Sequence, residues 1–278
     1  MSEETPSLRH ILVALDASPQ SRAALDAAVR VAAAFEAEIK GLFVEDEELL
    51  RASQLPFAQE VRAYTAPPKR LSDDRMQRQL RHQAEYAEHA LRQAAEQGDV
   101  PYDFHTVQGD VTQELLRAAH EADLLVLGKT STRSSRKRLG STCRTLVADA
   151  SSPVLVLRRP VPARKPLLLY YDGSAPAEAA LDLALRLARR DDVPLDVLLP
   201  VHDEADTDRL GEAVRARKDG PDVSVRLHPL TPAEAHRLSA FARKDGGLVV
   251  LPSCCPSFDD TSLKQLLYEM DRPLLVVR

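Results

Sequence analysis

Pro153-Val154-Leu155-Val156-Leu157-Arg158 returns almost residue for residue as Pro273-Leu274-Leu275-Val276-Val277-Arg278. Each is a short apolar run closed by arginine, the pattern of a strand buried on both faces. The repetition extends well beyond these endings. Ile11-Leu12-Val13-Ala14-Leu15-Asp16-Ala17-Ser18 heads the first stretch, and Leu167-Leu168-Leu169-Tyr170-Tyr171-Asp172-Gly173-Ser174 heads the second. In both, an apolar run leads to Asp, any residue and Ser, and then to an Ala- and Leu-rich helical pattern. The chain therefore reads as a tandem duplication, with the Pro-punctuated Arg159-Pro160-Val161-Pro162-Ala163-Arg164 as its linker.

Within the first copy, Leu8 to Leu15 predicts a buried strand. Ser18 can cap the helix that follows, with Pro19 at its favoured first position. Gln20 to Phe35 carries Ala24, Leu25, Ala28, Val31 and Ala32 at helical spacing. Glu38 to Val44 predicts a second strand, so the chain opens β-α-β. Glu45 to Pro68, broken by three prolines, reads as loop with a short helix. Leu71 to Gln97 is a long, strongly charged helix whose plain role is to cover one sheet face with its other side in solvent. Tyr102 to Val107, Asp123 to Leu127 and Pro153 to Arg158 predict three further strands, separated by helices at Thr112 to Glu121 and Gly140 to Ala150.

The second copy follows the same plan more loosely. Ala175 to Arg190 is its first helix, Leu195 to Leu199, Val223 to Leu227 and Leu248 to Leu251 are strands, and Pro232 to Lys244 is a helix. Alternating strands and helices imply right-handed crossovers and parallel sheets covered on both faces. Ligands in such sheets sit beyond the C-terminal strand ends, where strand order reverses. If the first and fourth strands are neighbours, Asp16 and Gly128 share one crevice.

Composition narrows the function classes. Of 278 residues, 44% are hydrophobic and 28% charged, the balance of a globular protein. The net charge of −5 gives no basic field for nucleic acid, and the absence of Trp leaves no stacking platform for single strands. No apolar run approaches the roughly 20 residues that span a bilayer. The acidic Met1-Ser2-Glu3-Glu4-Thr5 is unlike a secretory signal, and Cys143, Cys254 and Cys255 make no disulfide framework or metal pattern. These features predict a cytoplasmic protein with neither nucleic-acid nor membrane partners.

Leu124-Leu125-Val126-Leu127-Gly128 leads into a Ser-, Thr- and Arg-rich stretch that ends at Gly140-Ser141-Thr142 before a helical pattern. That is the layout of a phosphate site, in which free N–H groups at a helix start face an anion. Glycine at such turns also serves chain geometry alone.

The Asp-x-Ser start, the Gly109-Asp110 turn, Leu125-Val126-Leu127-Gly128 and the Gly140-Ser141 before Pro153-Val154-Leu155-Val156 together resemble the universal stress protein (UspA) family. The likeness is strong in the first copy and loose in the second. It implies an α/β fold of two tandem UspA-like domains, residues 1–159 and 160–278, each a five-stranded parallel sheet covered by helices. It also implies an internal pseudo-dimer of the two copies, and a homodimer as a further assembly. Many members bind ATP, with AMP or ADP as alternatives, and others bind no nucleotide. By this resemblance Asp16 and Val44 would flank the adenine and Leu127 and Gly128 would line the adenosine. Gly140, Ser141 and Thr142 would hold phosphate, with Ser131 in the loop between.

The sequence departs from the family loop in two ways. Ser131 stands where the second glycine belongs, and only eight residues, Thr132 to Leu139, separate it from Gly140. A side chain there restricts the backbone, although Ser and Thr hydroxyls can themselves donate to phosphate. Arg133, Arg136, Lys137 and Arg138 add positive charge suited to a polyphosphate, or simply make a solvated loop. The second copy keeps Asp172 and Ser174 but has Pro252-Ser253-Cys254-Cys255-Pro256-Ser257 in place of the loop, so it is not expected to bind nucleotide.

Other constellations are weak. Adjacent Cys254 and Cys255 lack redox-motif spacing, and His82 and His89 are too far apart on one helix face to share a metal. No nucleophile elbow or Walker lysine occurs, and Asp16 and Asp172 have no nucleophile or base beside them in sequence. The expectation is a non-enzymatic stress-response protein with a modified adenine-nucleotide site in its first copy. The alternative is a scaffold of the same fold that binds no nucleotide; slow ATP hydrolysis is a distant third.

Overall fold

The computed structural model describes residues 8–16, 18–55, 59–60, 69–70, 73–128, 140–157, 164–201, 203–218, 223–231, 247–253 and 272–278. In the first half, β1 (His10–Ala14), α1 (Pro19–Phe35), β2 (Glu38–Asp46), α2 (Glu47–Ser53), the two-residue strands β3 (Gln59–Glu60) and β4 (Lys69–Arg70), and α3 (Asp73–Gly98) follow one another. Next come β5 (Tyr102–Gly109), α4 (Val111–Ala119), β6 (Leu124–Gly128), α5 (Ser141–Asp149) and β7 (Val154–Leu157). The second half supplies β8 (Leu167–Tyr170), α6 (Ala175–Asp191), β9 (Leu195–Pro200), α7 (Glu204–Arg217), β10 (Val225–Leu230), β11 (Val249–Pro252) and β12 (Leu274–Val277).

The main strands lie in one sheet in the order β10-β9-β8-β11-β12-β7-β6-β1-β2-β5. Each half contributes five parallel strands, and the two sets run in mirror-image order. The sets meet where β12 pairs antiparallel with β7, Leu275 opposite Leu155. The repeated Pro-aliphatic-Arg stretches are therefore the strands that join the halves, and the two expected five-stranded sheets are one ten-stranded sheet. Central strands such as β6, β7, β8, β11 and β12 have strands on both edges and are buried almost throughout, which is why they are apolar.

Paired contacts cross the junction. Arg278 donates from Nη2 to the carbonyls of Val147 and Ala148 at 2.5 and 2.8 Å, placing a cation at the C-terminal end of α5. α1 and α6 are both 17 residues long, begin after a serine cap, and end in a left-handed non-glycine residue, Glu36 and Asp192.

Two expectations need correcting. Helix α7 occupies residues to which the sequence reading assigns no element, because Glu204–Arg217 is highly charged and has Gly211 at its centre. It stands where α3 stands in the first half, between the second and third strands. β10 begins and ends later than expected, at Val225–Leu230, because its exposed residues blur the apolar run. The expected helix at 232–244, the Cys254-Cys255 pair and the 159/160 boundary lie outside the described residues. Among the described residues no helix is long and apolar enough to cross a membrane, and no group of His, Cys, Asp or Glu could hold a metal ion.

Candidate functional site

Strand order in the first half reverses at β1, between β6 and β2. The chains leaving β1 and β6 run to opposite faces of the sheet, and a crevice opens beyond their C-terminal ends. A cavity of about 260 Å³ lies there. Its walls come from the ends of β1 (Ala14 to Asp16), β2 (Leu42 to Val44, and Asp46) and β6 (Leu127, Gly128). The helices add Leu49 from α2, Leu80 and Gln83 from α3, Val111 and Leu115 from α4, and Thr142, Cys143 and Leu146 from α5.

The β1–α1 turn is fixed by local hydrogen bonds. The Ser18 N–H donates to Asp16 Oδ1 at 3.1 Å, the Ser21 N–H to Ser18 Oγ at 3.1 Å, and the Asp16 N–H to Ser21 Oγ at 3.2 Å. Ser18 thus acts as the expected cap, and Asp16 is held at the cavity rim by an Asx-type turn. Asp46 caps α2, accepting from the Glu48 N–H at 2.8 Å, and Asp110 caps α4 through the Gln113 N–H at 2.8 Å. α5 differs. Gly140 is its cap residue and supplies no side-chain acceptor, so its cap residue leaves its first N–H groups without a side-chain partner.

Gly128 has a packing reason to be glycine. A Cβ there would lie 2.6 Å from the carbonyl carbon and 2.7 Å from the oxygen of Gln20, and 2.8 Å from the Ser21 nitrogen. The first turn of α1 rests directly on the end of β6, and only a hydrogen fits between them.

Of the residues singled out in sequence, Asp16, Val44, Leu127, Gly128 and Thr142 line this one cavity. Gly140 and Ser141 sit at the start of α5 beside it, outside its wall. Ser131 lies outside the described residues. Sequence reasoning missed Asp46, Gln83 and Cys143. Asp46 carried a signal as an acidic cap before a short helix, and Gln83 as a polar residue flanking the apolar stripe of α3.

The corresponding place in the second half is built differently. Tyr170 faces Leu198 across the β8–β9 pair as Ala14 faces Leu42 across β1–β2. A buried tyrosine therefore stands where the first half has alanine. By the same registers Tyr171 replaces Leu15, Pro200 replaces Val44, and Pro252 ends β11 where Gly128 ends β6. The Asx turn persists, with the Ser174 N–H donating to Asp172 Oδ1 at 3.0 Å. The Tyr171 hydroxyl donates to Glu178, which pairs with Arg217 at 2.9 Å, and Arg217 also grips Asp182 at 2.8 and 2.9 Å. Burial, and then the bond to Glu178, push the Tyr171 phenol well above the ordinary tyrosine range.

Comparison with known proteins agrees with this architecture. Among solved structures the chain is similar to a universal stress protein from Archaeoglobus fulgidus DSM 4304, at 17% identity and a TM-score of 0.69, over 99% of this chain and 98% of that one. It is also similar to a functionally unknown protein from Pseudomonas aeruginosa PAO1, at 13% identity and a TM-score of 0.61, over 99% of this chain and 94% of that one. The cytoplasmic domain of a prokaryotic cation chloride cotransporter shares the fold at 12% identity and a TM-score of 0.56, over 97% of this chain and 95% of that one. No curated protein matches the sequence. Residues 7–158, more than half of the chain, match the universal stress protein family. With that match over the half that holds the cavity, and a shared fold over nearly the whole length, the chain belongs to the universal stress protein family.

Proposed function

We propose that the first half is an adenine-nucleotide site, with ATP as ligand and AMP or ADP as alternatives. The observation that carries this reading is the meeting of an apolar cavity with the start of a helix whose cap residue, Gly140, brings no side-chain acceptor. Val44, Leu80 and Leu127 offer flat apolar walls to a base. Asp16 offers an acceptor to its exocyclic amine. Thr142 and the first N–H groups of α5 offer donors and a positive helix end to phosphate. The cavity volume suits a nucleoside, with the phosphates extending towards Gly140 and Ser141.

The second half, in this reading, binds no nucleotide, and tyrosines at the places of Ala14 and Leu15 support that. It completes an internal pseudo-dimer through β7 and β12, with the domains dividing at 159/160. The protein works without catalysis, in the cytoplasm, as a stress-response protein.

Titration of the purified chain with labelled ATP, beside a Gly140→Asp variant, tests the site. Saturable binding that the added carboxylate abolishes is expected. Failure of the unaltered chain to bind up to millimolar ATP would replace this reading with a scaffold of the same fold. Binding untouched by Gly140→Asp would move the site elsewhere. Phosphate release above background, lost in the variant, would make the protein an ATPase.

A further inference from the structure

Most polar side chains in the cavity wall already have partners. Asp16 Oδ1 accepts from the Ser18 N–H, Asp46 Oδ1 accepts from the Glu48 N–H, and the Thr142 hydroxyl lies 3.4 Å from that of Thr112. Cys143 is engaged as well. Gln83 is the exception. It is half-buried on α3, one turn beyond Leu80, and among the described residues its amide makes no hydrogen bond. Gln77, earlier on the same helix, gives its amide to Asp73 at 3.2 Å. Half-buried at the cavity wall, this carboxamide keeps its donor and its acceptor for whatever enters the cavity.

We propose that Gln83 is a specificity-determining residue that reads the edge of the bound base and favours adenine over guanine. The inference rests on the reading of the cavity as a nucleotide site. A carboxamide carries a donor beside an acceptor, and adenine presents the complementary pair, its N6 amine next to a ring nitrogen. Guanine can satisfy a rotated amide with O6 and N1–H. Asp16 and Asp46, however, are acceptors only, and both line the same cavity as Gln83, so a keto oxygen turned towards either meets a carboxylate oxygen. The amide supplies the attraction, and the two carboxylates reject the wrong base.

The test is calorimetric titration of the full chain with ATP, GTP and inorganic tripolyphosphate, repeated for Gln83→Leu and Gln83→Glu. The unaltered chain is expected to favour ATP over GTP by about ten-fold or more. Gln83→Leu should weaken ATP by about ten-fold and narrow the ATP-to-GTP ratio, leaving tripolyphosphate unchanged. Gln83→Glu keeps the length and loses the donor, so it should also weaken ATP; it decides the matter if the leucine variant does not fold. Saturable ATP binding with an unchanged ATP-to-GTP ratio in the variants overturns the inference alone. An equal loss of ATP and tripolyphosphate affinity also overturns it, because the residue would then act on the site as a whole. No ATP binding by the unaltered chain overturns the nucleotide reading and this inference together.

Discussion

Arg30 of α1 reaches across the junction of the halves to Asp191 of α6, Nη2 to Oδ2 at 2.5 Å. Arg186, which occupies the place of Arg30 in the other half, stacks over the ring of Phe35 at 4.7 Å from its centroid. Phe35 and Asp191 are each the last residue of a 17-residue helix, so the two contacts are one symmetric contact solved with different chemistry. An arginine beside a partly exposed ring or carboxylate gains a similar, modest amount in either case, up to about 1 kcal/mol.

Asp191→Phe should therefore be tolerated, because it gives Arg30 the ring that Arg186 already has. Chemical denaturation should shift by less than about 1 kcal/mol, and Arg30→Ala should cost no more than that. A loss above about 2 kcal/mol for Asp191→Phe would show that the two arginines are not equivalent in energy.

Gly128→Ala should destabilise the first half, because the new methyl would press on the Gln20 and Ser21 backbone, which has no side-chain freedom with which to yield. A cost of about 1–3 kcal/mol is expected, with weaker ligand binding as α1 is pushed off β6. Gly109→Ala is the control. Its methyl would come nearest the Glu114 side chain, with Cγ at 2.9 Å, and a side chain can turn where backbone cannot, so its melting temperature should fall less than that of Gly128→Ala. Equal losses in the two variants would count against the backbone-contact argument.

Much of this architecture was legible in the sequence, for definite reasons. Buried parallel strands read as unbroken apolar runs, and Ser18 and Ser174 announce their helices as caps. The joining of the halves was not legible, since β7 and β12 look the same whether a strand or a helix covers their outer edge. Helix α7 was hidden by its charge and its central glycine, although the duplication points to it once α3 is recognised. At the site, Asp16 and Gly128 could be paired from strand order alone. Asp46 and Gln83 could not, because their positions depend on how far β2 runs past Val44 and where α3 crosses the cavity.

Tyr171 gives a pH signature. Its folded-state pKa is raised above the ordinary 10.0, so the fold favours the protonated phenol. The stability it contributes is fully present below about pH 10 and is lost as pH rises from there towards the folded-state value. Tyrosinate absorbance should therefore rise identically in the unaltered chain and in Tyr171→Phe while both are folded. The extra tyrosine should appear only when the chain unfolds at higher pH. Ionisation of Tyr171 in the folded chain close to the ordinary value would contradict the burial and the bond to Glu178 that hold its proton.

The contrast between Ala14 and Tyr170 predicts how the cavity can be closed without breaking the fold. Both positions end the first strand of their half and pair in the same register, yet one lines the cavity and the other is a buried ring. The second half shows that this backbone accepts a tyrosine at that point. Ala14→Tyr should therefore place a ring in a cavity of about 260 Å³ and displace any ligand. Because the space is open rather than packed, the cost to stability should stay below the roughly 1–3 kcal/mol of ordinary core overpacking. ATP titration and thermal melting of Ala14→Tyr check both halves of the statement. Retained ATP affinity in a folded variant would place the nucleotide outside this cavity. A variant that melts far below the unaltered chain would mean that Leu115 and Leu146 cannot make the room that Leu198 and Leu230 make around Tyr170.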